Sequence, residues 1–254
     1  MSLLKNASVV VTGGATGIGF AVAAAMLAHG ARVAIGSRRE DVVRQAVEQL
    51  KRTELLTGAG QAGDAAMGHP LDVADRGSVR AFFDWADQSI RPATILVQAA
   101  GVNIKNRTLA EMDPEQWDQV LAVNATGAYN CIHAVLPAMR AAKGGLIVNI
   151  SSIAGKRAIA LGGVAYCAGK FAMTALGTAA GNELASDGIR VTNIYPGEVN
   201  TPLLDQRPVA VSDEHKARIL QPESVADMVV AIASLPPQAH VPEMVIKPLT
   251  QSYF

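Results

Sequence analysis

The sequence predicts an α/β protein: a doubly wound parallel β-sheet with helices on both faces, in a single domain over residues 1–254. Three observations predict it. Short, wholly apolar, β-branched runs recur along the chain, as strands buried on both faces of a parallel sheet should. Segments of helical spacing separate them, which is the alternation that right-handed crossovers produce. Half of the residues are apolar, 17% are charged, and 22 Lys+Arg balance 22 Asp+Glu, so the chain can bury a sizeable core.

The first run, Ser8-Val9-Val10-Val11, leads into Thr12-Gly13-Gly14-Ala15-Thr16-Gly17-Ile18-Gly19, and helical spacing follows from Phe20 to His29. Ala31 to Ile35 reads as the second strand, and Val42/Val43, Ala46/Val47 and Leu50 then lay one apolar stripe on a helix. Leu71-Asp72-Val73 ends the third strand, before a helix striped by Val79, Phe82/Phe83 and Ala86. Thr94 to Val97 is the fourth, and Pro114 suits the first turn of a helix capped by Asp113. Gly145 to Ile150, Ile189 to Ile194 and Met244 to Ile246 supply further strands. Gly197 to Gln221 breaks the pattern with Pro202, Pro208 and scattered charges, and reads as a mobile lobe over a site.

Several function classes are excluded at this level. A nucleic-acid binder working through phosphate neutralisation needs a basic excess or cluster, and the sequence has neither. The charge-free stretch from Asn6 to Ala31 imitates a membrane segment, but Thr12 to Gly17 interrupts its apolar length. Cys131 and Cys167 form no disulfide framework, which fits a reducing, cytoplasmic setting. The five histidines are scattered without ligand spacing, so no metal is expected.

The glycine turn lies between a strand and a helix, where backbone N–H groups at the helix start point at an anion and glycines let the chain approach a pyrophosphate. After the second strand, an Asp or Glu would accept from the ribose hydroxyls of NAD and repel the extra phosphate of NADP. The chain has Ser37-Arg38-Arg39 instead, whose hydroxyl and guanidinium groups suit a 2′-phosphate, so NADP(H) is expected over NAD(H). Asp72 reads equally well as an acceptor for the adenine amino group and as a cap for the helix starting near Asp75. Tyr166 and Lys170, four apart on a helix, project together, and a nearby cation brings a phenol with a pKa of about 10 towards the working range. Ser151-Ser152 closes the strand at Ile150, at the carboxyl end where open α/β sheets place their chemistry.

Thr12-Gly13-x-x-x-Gly17-x-Gly19, Asn124, Ser152, Tyr166, Lys170 and Pro196-Gly197, in this order and spacing, resemble the short-chain dehydrogenase/reductase family over nearly the whole chain. The resemblance implies a seven-stranded Rossmann-type sheet, NAD(P)-dependent hydride transfer, and a homotetramer or homodimer. It implies that Tyr166 protonates the carbonyl oxygen, that Lys170 binds the nicotinamide ribose and lowers the Tyr166 pKa, and that Ser152 hydrogen-bonds the same oxygen. Asn124 would support a water-mediated relay to Lys170. Besides Ser37, Arg38 and Arg39, it gives to the cofactor Gly13, Thr16, Gly17, Ile18, Gly19, Asp72, Val73, Gly101, Asn124, Tyr166, Lys170, Pro196, Gly197, Val199 and Thr201. Two departures stand out. Gln98-Ala99-Ala100-Gly101 replaces the usual Asn-Asn-Ala-Gly, which puts the side-chain hydrogen bonds of that segment in question. The tail from Val245 to Phe254 lacks the Gly-rich ending of many members and resembles a subset with some 3-hydroxy-acid and aldehyde reductases.

The expected substrate is a small carbonyl or alcohol compound. Lys105, Arg107, Lys156, Arg157 and Arg207 beside Leu203 and Leu204 point to one bearing an anionic group, such as a hydroxy acid. Three rivals are weighed. A methyltransferase would not need the Tyr166/Lys170 pair, and a non-catalytic NADP(H) sensor would usually lose a reacting residue, whereas a dehydratase or epimerase of related fold would turn over no cofactor. Val164 to Leu184 is apolar or small on nearly every face, as a helix covered by the sheet on one side and a second subunit on the other should be.

Overall fold

The computed structural model describes residues 4–57 and 65–253. Ser8–Thr12 (β1) rises into Gly17–Ala28 (α1), and Arg32–Ser37 (β2) into Glu40–Thr57 (α2). Ala66–Pro70 (β3) is followed by Arg76–Ile90 (α3), and Ile95–Gln98 (β4) by Pro114–Leu121 (α4) and Gly127–Ala141 (α5). Gly145–Ile150 (β5) leads to Val164–Leu184 (α6), Ile189–Pro196 (β6) to Asp213–Arg218 (α7) and Pro222–Ala233 (α8), and Glu243–Ile246 (β7) completes the sheet. The seven strands are all parallel, in the order β3-β2-β1-β4-β5-β6-β7. The order reverses between β1 and β4, and such a switch point leaves a crevice beyond the carboxyl ends of the strands.

The unbroken apolar runs follow from having a core on each face. Val9 and Val11 pack with Val33, Ile35, Val97 and Val148 under α1, α2 and α8. Val10 turns the other way, joining Ala34, Leu96 and Ile147 under α3, α5 and α6. Consecutive side chains of a strand alternate faces, so with both faces covered most positions are apolar, and a polar one such as Asn149 needs a hydrogen-bond partner. The charge-free opening of the chain has the same cause, since α1 lies on the sheet between α2 and α8.

Two expected boundaries shift. The third strand ends at Pro70, before Leu71-Asp72-Val73, and the first helix begins at Gly17 rather than Phe20, so the last glycines of the turn are already helical. Asp72 caps nothing. Asp75 caps α3 through the Ser78 N–H at 2.9 Å, while Asp72 Oδ1 accepts from Ala74 N–H at 3.0 Å in a local turn. Between α4 and α5 the helix widens over Ala122–Thr126 into one π-helical turn, a distortion that tends to mark functional segments.

Candidate active site

A cleft of about 820 Å³ runs along the switch point. Its walls are the glycine turn, Ser37 to Arg39, Leu71 to Val73, Ala99 to Ile104, and Tyr166 and Lys170 on α6. The glycine turn is close-packed: a β-carbon on Gly13 would stand 2.6 Å from Ala100 N, and one on Gly19 only 2.3 Å from the Gly13 carbonyl oxygen. No other residue lets the turn fold back on itself this tightly. Thr16 occupies the N-cap position of α1 without spending its side chain on the helix, so its hydroxyl is left to the cleft. Arg38 and Arg39 are exposed at the mouth, beside Ser37, whose Oγ accepts from Ala15 N–H at 3.4 Å. Volume and glycine cradle fit an adenine dinucleotide.

At the inner end of the cleft lie the reacting groups. Tyr166 sits in the first turn of α6, half-buried, and lines both this cleft and a smaller adjoining one of about 130 Å³. Ser152 lines the smaller pocket together with Tyr166, and its hydroxyl accepts from Ala154 N–H at 3.1 Å, which fixes it at the head of a short helical turn. Its neighbour Ser151 turns away, with Oγ 3.2 Å from the Lys170 carbonyl and 3.2 Å from Thr174 Oγ1. Lys170 is buried at 4% exposure, and its Nζ donates to the Ile150 carbonyl at 2.8 Å and lies 5.8 Å from the centre of the Tyr166 ring.

The electrostatics correct one expectation. Burial raises the Tyr166 pKa above its ordinary value, against the opposing pull of the Ser152 hydrogen bond and the Arg107 charge. Burial also lowers Lys170 to about 8. Burial thus outweighs the lowering that nearby groups give the phenol, because the low-dielectric surroundings disfavour the charged forms of both side chains. A phenol that holds its proton is an acid first, suited to giving a proton to a carbonyl oxygen.

Asn124 lies at the centre of the π turn, fully buried, but both ends of its amide are committed to Val102. Oδ1 accepts from the Val102 N–H and Nδ2 donates to the Val102 carbonyl, each at 2.9 Å. Its side chain thus fixes the Gly101–Val102 backbone beside Lys170, with one N–H and one Oδ1 lone pair remaining. Gly101 keeps that space open, since a β-carbon there would lie 3.4 Å from Lys170 Nζ and 3.5 Å from Asn124 Oδ1. Pro196, Gly197 and Val199 line the smaller pocket rather than the large cleft, whereas Ile18 and Thr201 line both. Gln98 points into the sheet and donates to Asn149 Oδ1 at 2.9 Å. The Thr12 hydroxyl, accepting from Ala100 N–H at 3.4 Å, supports the strand end where the usual asparagines are missing.

Asn103 belongs to the Val102 to Arg107 segment expected as a pocket wall, though no role for its side chain was read from the sequence. It lines both pockets, and its Nδ2 donates to the Gly162 carbonyl at 3.1 Å, tying the loop after β4 to the entry of α6. Of the five cations expected around the substrate, only Arg107 and Arg207 line the smaller pocket. Lys156 pairs with Glu243, and Arg157 stacks on Tyr253.

Comparison with known proteins agrees with this geometry. A family model described as short chain dehydrogenase matches residues 7–210. A 3alpha-hydroxysteroid dehydrogenase of Mediterraneibacter gnavus is 33% identical over 240 residues, covering 91% of each chain. An uncharacterized oxidoreductase, YxbG of Bacillus subtilis, is 35% identical over 206 residues, 81% of this chain and 71% of that one. Among solved structures, a serine dehydrogenase in its closed form with NADP+ superposes with a TM-score of 0.83 at 27% identity, covering 96% of both chains. An actinorhodin polyketide ketoreductase variant with NADPH gives 0.82 at 28% identity, over 95% of this chain and 96% of that one.

Proposed function

The chain belongs to the short-chain dehydrogenase family, and from that premise we propose that it interconverts an alcohol and its carbonyl compound with NADP(H) in preference to NAD(H). The observation that carries the proposal is the meeting of Ser152 and Tyr166, with Lys170 behind them, where the large cleft opens into the small one.

In the reducing direction, Ser152 donates a hydrogen bond to the substrate carbonyl oxygen and polarises it. NADPH, when bound, supplies the hydride to the carbonyl carbon. Tyr166 gives its proton to the oxygen as the C–O double bond becomes single, leaving an alcohol and a phenolate. Lys170 and Arg107, both cationic and close, stabilise that phenolate until solvent returns the proton. Asn124 acts by holding the Gly101–Val102 backbone against Lys170. Ser37, Arg38 and Arg39 take the 2′-phosphate, and the exposed guanidiniums are free to turn onto it. NADP-type cofactors in two structural relatives support this preference.

The chain functions as one domain, with residues 197–221 as the substrate lobe. Phe171, 41% exposed on α6, and Tyr129 on α5 lie on faces suited to a homo-oligomer, and the two buried free thiols, Cys131 and Cys167, suit the cytoplasm. Among the described residues no helix is long and apolar enough to cross a membrane.

Following NADPH absorbance with a panel of aldehydes, ketones and alcohols tests the proposal. Tyr166→Phe should lower turnover by about 10²–10⁴ without changing NADPH affinity. Near-full turnover in that variant removes the mechanism. NADPH binding with no consumption across the panel moves the protein to the sensor or epimerase readings.

A further inference from the structure

The small pocket next to Tyr166 carries a charge without a counter-ion. Three ionised side chains line it: Arg107, Arg207 and Glu198. Arg207 and Glu198 satisfy one another at 2.9 Å, and His215 of α7 reaches the same carboxylate oxygen at 2.7 Å. Among the described residues Arg107 has no such partner. Its Nε donates to the Ile104 carbonyl at 2.8 Å, Nη1 to the Leu161 carbonyl and Nη2 to the Gln206 carbonyl at 2.8 Å. All three bonds end on neutral backbone dipoles, drawn from the loop after β4, the entry to α6 and the substrate lobe.

This arrangement has two consequences. A guanidinium has five N–H donors, so two remain for a ligand, on a group whose plane is already fixed by three anchors. The pocket also keeps a net positive charge, one from Arg107 after Arg207 cancels Glu198. Burial and the neighbouring Arg207 charge both work against the Arg107 cation, and Tyr166 favours it. An anion delivered by the substrate would offset that cost where protein groups do not. The pocket, of about 130 Å³ against about 820 Å³ for the large cleft, favours a small ligand.

We propose that the substrate carries a short carboxylate, and that Arg107 is the residue that selects it. The compound is then a small hydroxy or oxo acid, seated with its acid on the two spare Arg107 N–H groups and its reacting oxygen on Ser152 and Tyr166. This rests on the oxidoreductase reading for the role of Tyr166, so its test is a binding measurement that needs no turnover.

Butyrate and butyramide, equal in size and unequal in charge, are titrated calorimetrically into the protein with and without NADP+. Butyrate should bind about 10- to 100-fold more tightly than butyramide. Arg107→Met should equalise the two, and Arg107→Lys should keep part of the difference. Equal affinity in the unmodified protein overturns the proposal, as does an absence of butyrate binding. A preference surviving in folded Arg107→Met overturns it too. The comparison in the unmodified protein stands even if loss of the three anchors unfolds the variant. Failure of the oxidoreductase reading shows separately, as NADPH that no carbonyl compound consumes.

Discussion

Lys170→Met should abolish turnover and yet stabilise the protein at neutral pH, by an amount that fades as pH rises. The Lys170 pKa falls from 10.5 to about 8 because the ammonium is buried. At about 1.4 kcal/mol per pH unit, carrying that charge in the folded state costs about 3 kcal/mol near neutrality. The sign follows from proton counts. Between about pH 8 and 10.5 the unfolded chain still holds the proton that the folded chain has released, so the unfolded state binds more protons and stability rises with pH. The penalty is full below the folded pKa, has shrunk to roughly 1 kcal/mol near pH 10, and vanishes above the unfolded value. Methionine has similar bulk and does not titrate. Its stability relative to the natural lysine should therefore fall by about 2 kcal/mol between about pH 7 and pH 10. The starting lead is smaller than the full penalty, because the Ile150 carbonyl loses the donor that now reaches it at 2.8 Å, a loss of about 1–3 kcal/mol. Urea unfolding followed by circular dichroism at one protein concentration measures the difference across that pH range. A flat difference would refute the argument, since it would mean that Lys170 is solvated in the folded chain.

Two further outcomes concern the cofactor. Replacing Arg38 and Arg39 together by Ala should raise KM for NADPH by about 10- to 100-fold and leave that for NADH nearly unchanged, as initial rates with each cofactor would reveal. An equal effect on both cofactors would assign the two arginines to solvent. Gly19→Ala puts a β-carbon 2.3 Å from the Gly13 carbonyl oxygen and must open the turn, so NADPH binding by fluorescence titration should be lost. Unchanged affinity would show that the turn does not shape the site.

The sheet was legible wherever burial on both faces forced an uninterrupted apolar run, as in Val9 to Val11 and Leu146 to Val148. It was least legible at β3, on the sheet edge, where Ala66-Met67-Gly68-His69-Pro70 shows no β-branched signal. Gly68 is required there by α2, because a β-carbon would meet Val43 and Val47 at 2.6 and 2.7 Å. The reacting side chains were legible too, since a four-residue spacing on a helix is a local fact. Their electrostatics were not: the direction of the Tyr166 pKa depends on how deeply α6 is buried, and no spacing encodes that. The anchoring of Arg107 was hidden for a related reason. Its partners are backbone carbonyls, one three residues away and two on distant segments, and a carbonyl carries no residue identity.

The departure at Gln98 acquires a purpose from the same geometry. Gln98, Asn149 and Asn193 stand opposite one another on β4, β5 and β6, all buried, and their amides join at 2.9 Å per step. This ladder faces α6, where Gly177 admits it, since a β-carbon there would lie 2.2 Å from Asn193 Oδ1 and 2.4 Å from Asn149 Nδ2. Two turns earlier Gly169 lets Asn124 approach, with a β-carbon position 2.9 Å from the Asn124 Cβ. Each glycine costs roughly 0.5–1 kcal/mol in a helix interior, and a slide of α6 would carry side chains into both contacts. The position of α6 along the sheet is thereby fixed at two heights by close contacts with buried amides. Tyr166 and Lys170 ride on that helix, so the precision with which they meet Ser152 is set at Gly169 and Gly177, outside the reacting set itself.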